Sequence, residues 1–210
     1  MNNLNFQSCH STPEEAATLL YVFNSVYPIS EGTQKFLIEN TYPIKLRKGK
    51  KLHKSGDICD MIYFVNKGAI RGYVKDCNRE ITTWITVENE LVASIHSFIF
   101  QIPSEENMEA IEDSDLLGMK HSDLQHLYDI EPDFNITARR FYEIHYAQAE
   151  IRALMGRLSK AEIKYEYFLK TYKQLSNRIP LKYIASFLGI NLETLSRVRS
   201  QIRNTSENKV

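Results

Sequence analysis

The sequence predicts an α+β chain in which a strand-rich stretch lies between two helical ones. Three observations predict it. Residues 43–120 run as short β-rich segments punctuated by turn signals. From Ser122 onward the apolar period becomes helical. Residues 181–200 then space small and apolar side chains as two short helices joined by a tight turn need.

Residues 12–40 read as helical, because Thr12-Pro13-Glu14-Glu15 puts proline in the first turn and acids beside the N-terminal dipole. The strand region follows. Ile62-Tyr63-Phe64-Val65 and Ala69-Ile70-Arg71-Gly72-Tyr73-Val74 flank the turn Asn66-Lys67-Gly68 and read as a hairpin, and Ile81–Val87 alternates. Gly49 and Ser55-Gly56-Asp57 mark further turns, and the spacing fits a small antiparallel barrel or sandwich.

Phe134, Thr137, Phe141, Ile144, Gln148, Ile151, Met155 and Leu158 then follow steps of 3 and 4, an a/d seam opposite Arg139, Arg140, Glu143, Glu150 and Arg152. A seam of this length needs a partner surface. A twofold helix pair is expected through Phe134, Phe141, Ile144, Gln148, Ile151 and Met155; the alternative is packing on the chain's own domain. Ser159-Lys160-Ala161-Glu162 fits a capping box that starts a helix at roughly 160–173, with Ile163, Tyr167 and Phe168 expected inward and a break near Gly156. Tyr172–Arg178 reads as a polar connector, and Pro180 suits the next helix start. The expected domains are 1–128, 129–158 and 159–210.

In residues 181–200, Ala185 lets two helices approach, Gly189 accepts the positive φ of a turn, and Asn191 is an N-cap. Ile184, Leu188, Ile190, Leu195 and Val198 fill the space between the helices. The second helix exposes Leu192, Glu193, Ser196, Arg197, Ser200 and Arg203. Net charge is zero, but its distribution is uneven. Glu88–Asp133 holds twelve acids and one base, whereas Arg178–Arg203 holds five bases and one acid, locally +4 (five minus one). A local positive field favours phosphate whatever the total. Double-stranded DNA is therefore the expected partner of Lys182, Asn191, Leu192, Glu193, Thr194, Ser196, Arg197, Arg199, Ser200 and Arg203.

The order of these segments resembles the Crp/Fnr family of transcription regulators, with Gly49, Leu52, Gly56, Tyr63, Val65 and Gly68 at matching spacings. The resemblance implies an N-terminal antiparallel β-roll (double-stranded β-helix, jelly-roll-like), a long dimerisation helix and a C-terminal helix-turn-helix domain. It also implies a homodimer on an inverted-repeat operator, with RNA polymerase as a further partner. Glu193, Ser196 and Arg197 match the E-x-x-S-R pattern of the fumarate–nitrate branch, and Leu192 stands where the cyclic-AMP branch has arginine, so a TTGA-like half-site is implied. The family's wing usually follows the recognition helix. Only Asn204–Val210 remain here, so that tail is expected to be mobile and any wing to precede Leu181.

The effector region departs from the family. Cyclic-nucleotide binders hold the phosphate with a Phe-Gly-Glu turn and a later arginine. Here Leu91-Val92-Ala93-Ser94 and Ser104 stand there, with Glu105 and Glu106 beside them to repel phosphate. The expected pocket comprises Ser94, Ser104, Glu105, Asn107, Ile144 and His145, and cyclic nucleotides are not expected to bind. The alternative is a regulator gated by a cyclic nucleotide or another small molecule in the same roll.

No P-loop, HExxH, GxSxG or carboxylate pair points to an enzyme, so no catalytic residue is expected. Three cysteines cannot supply the four ligands of an iron–sulfur cluster. No metal or cofactor is expected, although six histidines leave haem open. No apolar run approaches the roughly 18 residues of a membrane span, and MNNLNFQSCHSTPEEA lacks a signal-peptide pattern. The chain is expected in the cytoplasm, with no membrane partner.

Overall fold

The computed structural model describes residues 9–172 and 175–207, with side chains as far as Ile202. They form two compact units. One holds residues up to Val74 together with Trp84–Ile144; the other holds Lys75–Thr83 and residues from His145 on.

The first unit opens with helix α1 (Pro13–Val26). Thr12 and Glu15 cap it reciprocally, each side chain accepting the other's backbone N–H, at 3.3 and 2.9 Å. The helical zone read at 12–40 divides around Pro28. Ser30 then caps α2 (Glu31–Asn40) by accepting the Thr33 N–H at 2.9 Å.

Eight strands follow: β1 (Tyr42–Leu46), β2 (Lys51–His53), β3 (Met61–Lys67), β4 (Ile70–Asp76), β5 (Arg79–Thr86), β6 (Leu91–Val92), β7 (Asn107–Ala110) and β8 (Ser114–Lys120). They build two four-stranded sheets, ordered β1-β8-β3-β6 and β2-β7-β4-β5, the jelly-roll-like arrangement the resemblance implied. Helix α3 (Ile95–Phe100), which the strand reading of 43–120 did not contain, lies between β6 and β7.

In the second sheet, Ile70 pairs with Ala110 and Gly72 with Met108, while Arg71 pairs with Glu109 and Tyr73 with Asn107. Alternation sends these two sets to opposite faces. Ile70, Met108 and Ala110 belong to the main core. On the other face Arg71 donates to Glu109 at 3.3 Å and lies 4.2 Å over the Tyr73 ring.

Helix α4 (His121–Ile130) leads to α5 (Phe134–Arg157), which is continuous through both units. Its first turns are spent on the chain's own core. Phe134 lies 5.8 Å from the Phe23 ring and 5.9 Å from Tyr128, and Phe141 lies 4.9 Å from Phe23.

The second unit contains α6 (Ala161–Tyr172), α7 (Leu181–Leu188) and α8 (Leu192–Glu207). The buried face of α6 is Lys164, Tyr165, Phe168 and Tyr172. Ile163 and Tyr167, expected inward beside Phe168, are at the surface. The face turns because Lys164 is drawn in. Its ammonium donates to the Leu188 carbonyl at 2.9 Å and to the Gly156 carbonyl at 3.3 Å, two acceptors that helix ends leave open. The connector read as polar also contributes core, since Leu175 is buried, as is Ile179 just after it. From Lys75–Thr83, the Thr82 N–H donates to the Ser186 hydroxyl at 2.9 Å, and that hydroxyl donates to the Glu80 carbonyl at 3.0 Å. Helix α8 continues through Asn204–Glu207, so the mobile tail expected from Asn204 is helical that far; residues 208–210 lie outside the described residues.

The cysteines divide by exposure. Cys9 and Cys77 are exposed, whereas burial pushes the Cys59 thiol up to about 11. Because the thiolate is the nucleophile, two of the three thiols should react with Ellman's reagent in the native protein and the third only on unfolding. Three fast equivalents would contradict this core.

Candidate functional site

The helix pair at 181–200 is built from local rules. Gly189 closes α7 in the left-handed region (φ 62°, ψ 39°), and its N–H bonds back to Ala185 and Ser186. The Ile190 N–H also reaches the Ala185 carbonyl, at 3.0 Å. Asn191 caps α8 by accepting the Thr194 N–H at 2.7 Å. Ile184, Ala185, Leu188, Leu195 and Val198 are buried, four of the five predicted apolar contacts plus the small residue; Ile190 is half-buried.

This packing leaves one face of α8 uncovered. Asn191, Leu192, Glu193, Ser196, Arg197 and Ser200 are exposed, as is Lys182 on α7, whose ammonium lies 4.8 Å from the Tyr183 ring. Thr194 is half-buried. Arg199 instead ties α8 to the connector before α7. Its guanidinium donates to the Ser176 carbonyl and to Asn177 Oδ1, both at 3.0 Å. The side chain of Arg203 lies outside the described residues.

The structure brings Ser94 and Ser104 together, with their hydroxyls 2.8 Å apart and buried. The acid that joins them is Glu106, whose Oε2 lies 3.5 Å from Ser94 Oγ and accepts the Trp84 indole N–H at 3.2 Å. Glu105, the acid expected here, is exposed. Asn107 belongs to the opposite face of β7, where it accepts from Lys51 at 3.1 Å and from the Ser55 N–H at 3.4 Å. His53 is buried nearby on β2 with its Nε2 unbonded; burial holds its imidazole below the ordinary range against the pull of Asp57, Asp60 and Glu106. Ile144 and His145 are carried by α5. Sequence reading passed over Trp84 and His53. The available signal was the chain's single tryptophan, set in an alternating strand across a hairpin from a glycine.

Of the expected seam, Phe134, Thr137 and Met155 are buried within the chain, and Phe141, Gln148 and Ile151 on α5 and Leu158 just beyond it are half-buried. Ile144 and Leu154 are each 47% exposed, and with Ala147 and Ile151 they follow steps of 3 and 4 along one face. That face is apolar, and among the described residues only Ile151 of the four is half-buried.

No helix among the described residues is long and apolar enough to cross a membrane. Residues 43–131 match the cyclic nucleotide-binding domain family. No curated protein sequence matches the chain. Among solved structures, FixK2 of Bradyrhizobium japonicum is similar at 20% identity and a TM-score of 0.66, over 79% of this chain and 86% of that one. The c-di-GMP responsive global regulator CLP of Xanthomonas campestris is similar at 15% and 0.64, over 84% and 93%. A structure from Eubacterium rectale assigned to the Crp/Fnr family of transcriptional regulators is similar at 17% and 0.65, over 86% and 88%. At these identities the likeness establishes the fold, which is that of Crp/Fnr-type regulators.

Proposed function

We propose, from a chain with the Crp/Fnr-type fold and a cyclic nucleotide-binding-type domain at residues 43–131, a homodimeric transcription regulator that reads an inverted-repeat DNA operator with α8. The carrying observation is the uncovered α8 face, where Glu193, Ser196 and Arg197 stand clear of a packed two-helix support. Residues 1–128 form the sensor part, 129–158 the dimer helix and 159–210 the DNA-binding part. RNA polymerase is the expected further partner.

The chemistry follows from the side chains. Arg197 offers two N–H donors in the geometry of a guanine edge, and Glu193 accepts from a cytosine amine. They stand four apart and so lie on one stretch of helix. A dimer presents two such helices about one DNA turn apart, so half-site centres fall roughly 10–11 bp apart. The Ser94–Ser104–Glu106 group puts hydroxyls and a carboxylate where the family's cyclic-nucleotide binders have an arginine, and on that ground cyclic nucleotides are not expected to bind.

Selection on random DNA should enrich an inverted repeat, and a gel shift should weaken steeply as salt rises. Absence of any enriched sequence would sink the reading. Calorimetry with cyclic AMP and cyclic GMP should show no heat at micromolar ligand; saturable binding would overturn this account of the Ser94–Ser104–Glu106 group.

A further inference from the structure

Helix α3 turns apolar side chains both ways. Phe98 points inward, 2% exposed and 5.0 Å from the His121 ring, beside Ser97, whose hydroxyl accepts the Cys59 N–H at 2.9 Å. The outward face carries Ile95, Ile99 and Phe100. Residues 56–60 run alongside. Ile58 bridges Pro103, the Ser104 N–H donates to the Asp57 carbonyl at 2.9 Å, and the Gly56 N–H donates to the Ser104 carbonyl at 2.7 Å. Ile58 and Ile102 are thereby set beside the helix. Phe100 is 64% exposed, and Ile58, Ile95, Ile99 and Ile102 are 40–47% exposed. Single exposed apolar residues are ordinary, but a cluster of large ones marks a surface that meets a partner. The cluster is also fixed in place. Gln101 closes α3 in the left-handed region (φ 51°), and its amide donates to the Phe98 carbonyl at 2.7 Å and to the Cys59 carbonyl at 3.4 Å.

Charge around the cluster selects the partner. Segments 55–60 and 91–106 contain no lysine or arginine, and Asp57, Asp60 and Glu105 are exposed within them. Lys54 is the exposed base next to them in sequence, whereas Lys120, paired with Met61, has its ammonium 5.5 Å from the Tyr42 ring. We propose that this face of the first unit docks a basic segment of another protein, an amphipathic helix whose apolar side chains cover Ile99 and Phe100 and whose lysines or arginines meet Asp57, Asp60 and Glu105. Such helices place their anchors three and four residues apart. The apolar centre supplies affinity, and the acidic rim steers and selects. The same acids repel anionic lipid, and a second copy of this face would set acid against acid. Because α3 and residues 56–60 are already stitched together, the face loses little freedom on binding.

The probe is a labelled amphipathic peptide of leucine and lysine, about 14 residues or some four helical turns long, with a leucine–glutamate peptide of the same pattern as control. Fluorescence anisotropy with the full chain should show saturable binding of the first, weakening as salt rises, and none of the second. Ile99→Ser with Phe100→Ser should lower affinity at least about tenfold. Asp57→Lys with Asp60→Lys should lower it too and flatten the salt dependence. All four side chains are exposed, so both variants should fold. Equal binding of the two peptides, or full affinity in a folded Ile99→Ser/Phe100→Ser variant, would overturn the proposal. Should either variant fail to fold, hydrogen exchange on the wild type decides: the peptide should protect amides in residues 56–60 and 95–102, and protection only elsewhere overturns it. Two further measurements test the other occupants. Anionic phosphatidylserine vesicles should not bind through Ile99 and Phe100, and sedimentation should show no association that their replacement removes. Either effect would give the face to lipid or to a second copy and overturn the assignment to a basic protein segment.

Discussion

Arg197→Ala should abolish discrimination at one G·C pair of each half-site and weaken operator binding by about 1–3 kcal/mol per half-site. Over a dimer this is about 2–6 kcal/mol, or about 30-fold to 10⁴-fold in affinity. The fold should not change, because Arg197 is exposed while Leu195 and Val198 carry the packing of α8. Lys182→Ala is the contrasting variant. Its ammonium is a point charge at the surface of α7, so its loss should weaken all sequences alike and lower the salt slope by about one phosphate contact. Binding selection with both variants, each repeated across a salt series, separates the two roles. If Arg197→Ala retains full preference at every position, α8 does not read bases through this arginine.

In the dimer proposed above, charges on the exposed apolar face of α5 should break the contact. Ile144→Glu together with Ile151→Glu puts two carboxylates per chain into an apolar contact. An unpaired buried charge costs about 3–5 kcal/mol, so the double variant should dissociate by more than about a thousandfold. Neither side chain is fully buried in the single chain, so the monomer should keep its fold. Sedimentation should show a single monomeric species, and operator binding should fall with it. An unchanged dimer would place the interface elsewhere. Leu154→Glu is the informative addition, because Leu154 is open while Met155, its neighbour in the expected seam, is buried within the chain.

These contrasts show which features a sequence carries. The two-helix segment was legible because each requirement is local: a small residue at Ala185, positive φ at Gly189, a side-chain acceptor at Asn191. The strand region was legible as a class for the same reason, through alternation and turns. The α5 seam was only partly legible. Periodicity identifies an apolar stripe but does not say how much of it the chain itself covers, and Phe23 claims Phe134 and Phe141 through a contact more than a hundred residues away. The α6 face was misread because helix-end carbonyls at Gly156 and Leu188 give the Lys164 charge a buried home and so turn Ile163 and Tyr167 outward. The Trp84–Glu106 contact joins two segments that are not neighbours in sequence and depends on a glycine on a third. Nothing in the local pattern states that register.

Lys164 has a further consequence for how the C-terminal helices open and close. One ammonium terminates the hydrogen-bond ladders of two different helices, α5 at Gly156 and α7 at Leu188, from a third, α6. If either ladder end lifts away, a buried cation loses an acceptor and a carbonyl loses its donor, and both losses fall in the same low-dielectric place. Fraying, which helix ends ordinarily do one at a time, is therefore coupled here across three helices. The helices that support α8 should therefore open as one cooperative body, joined at a lysine that is buried.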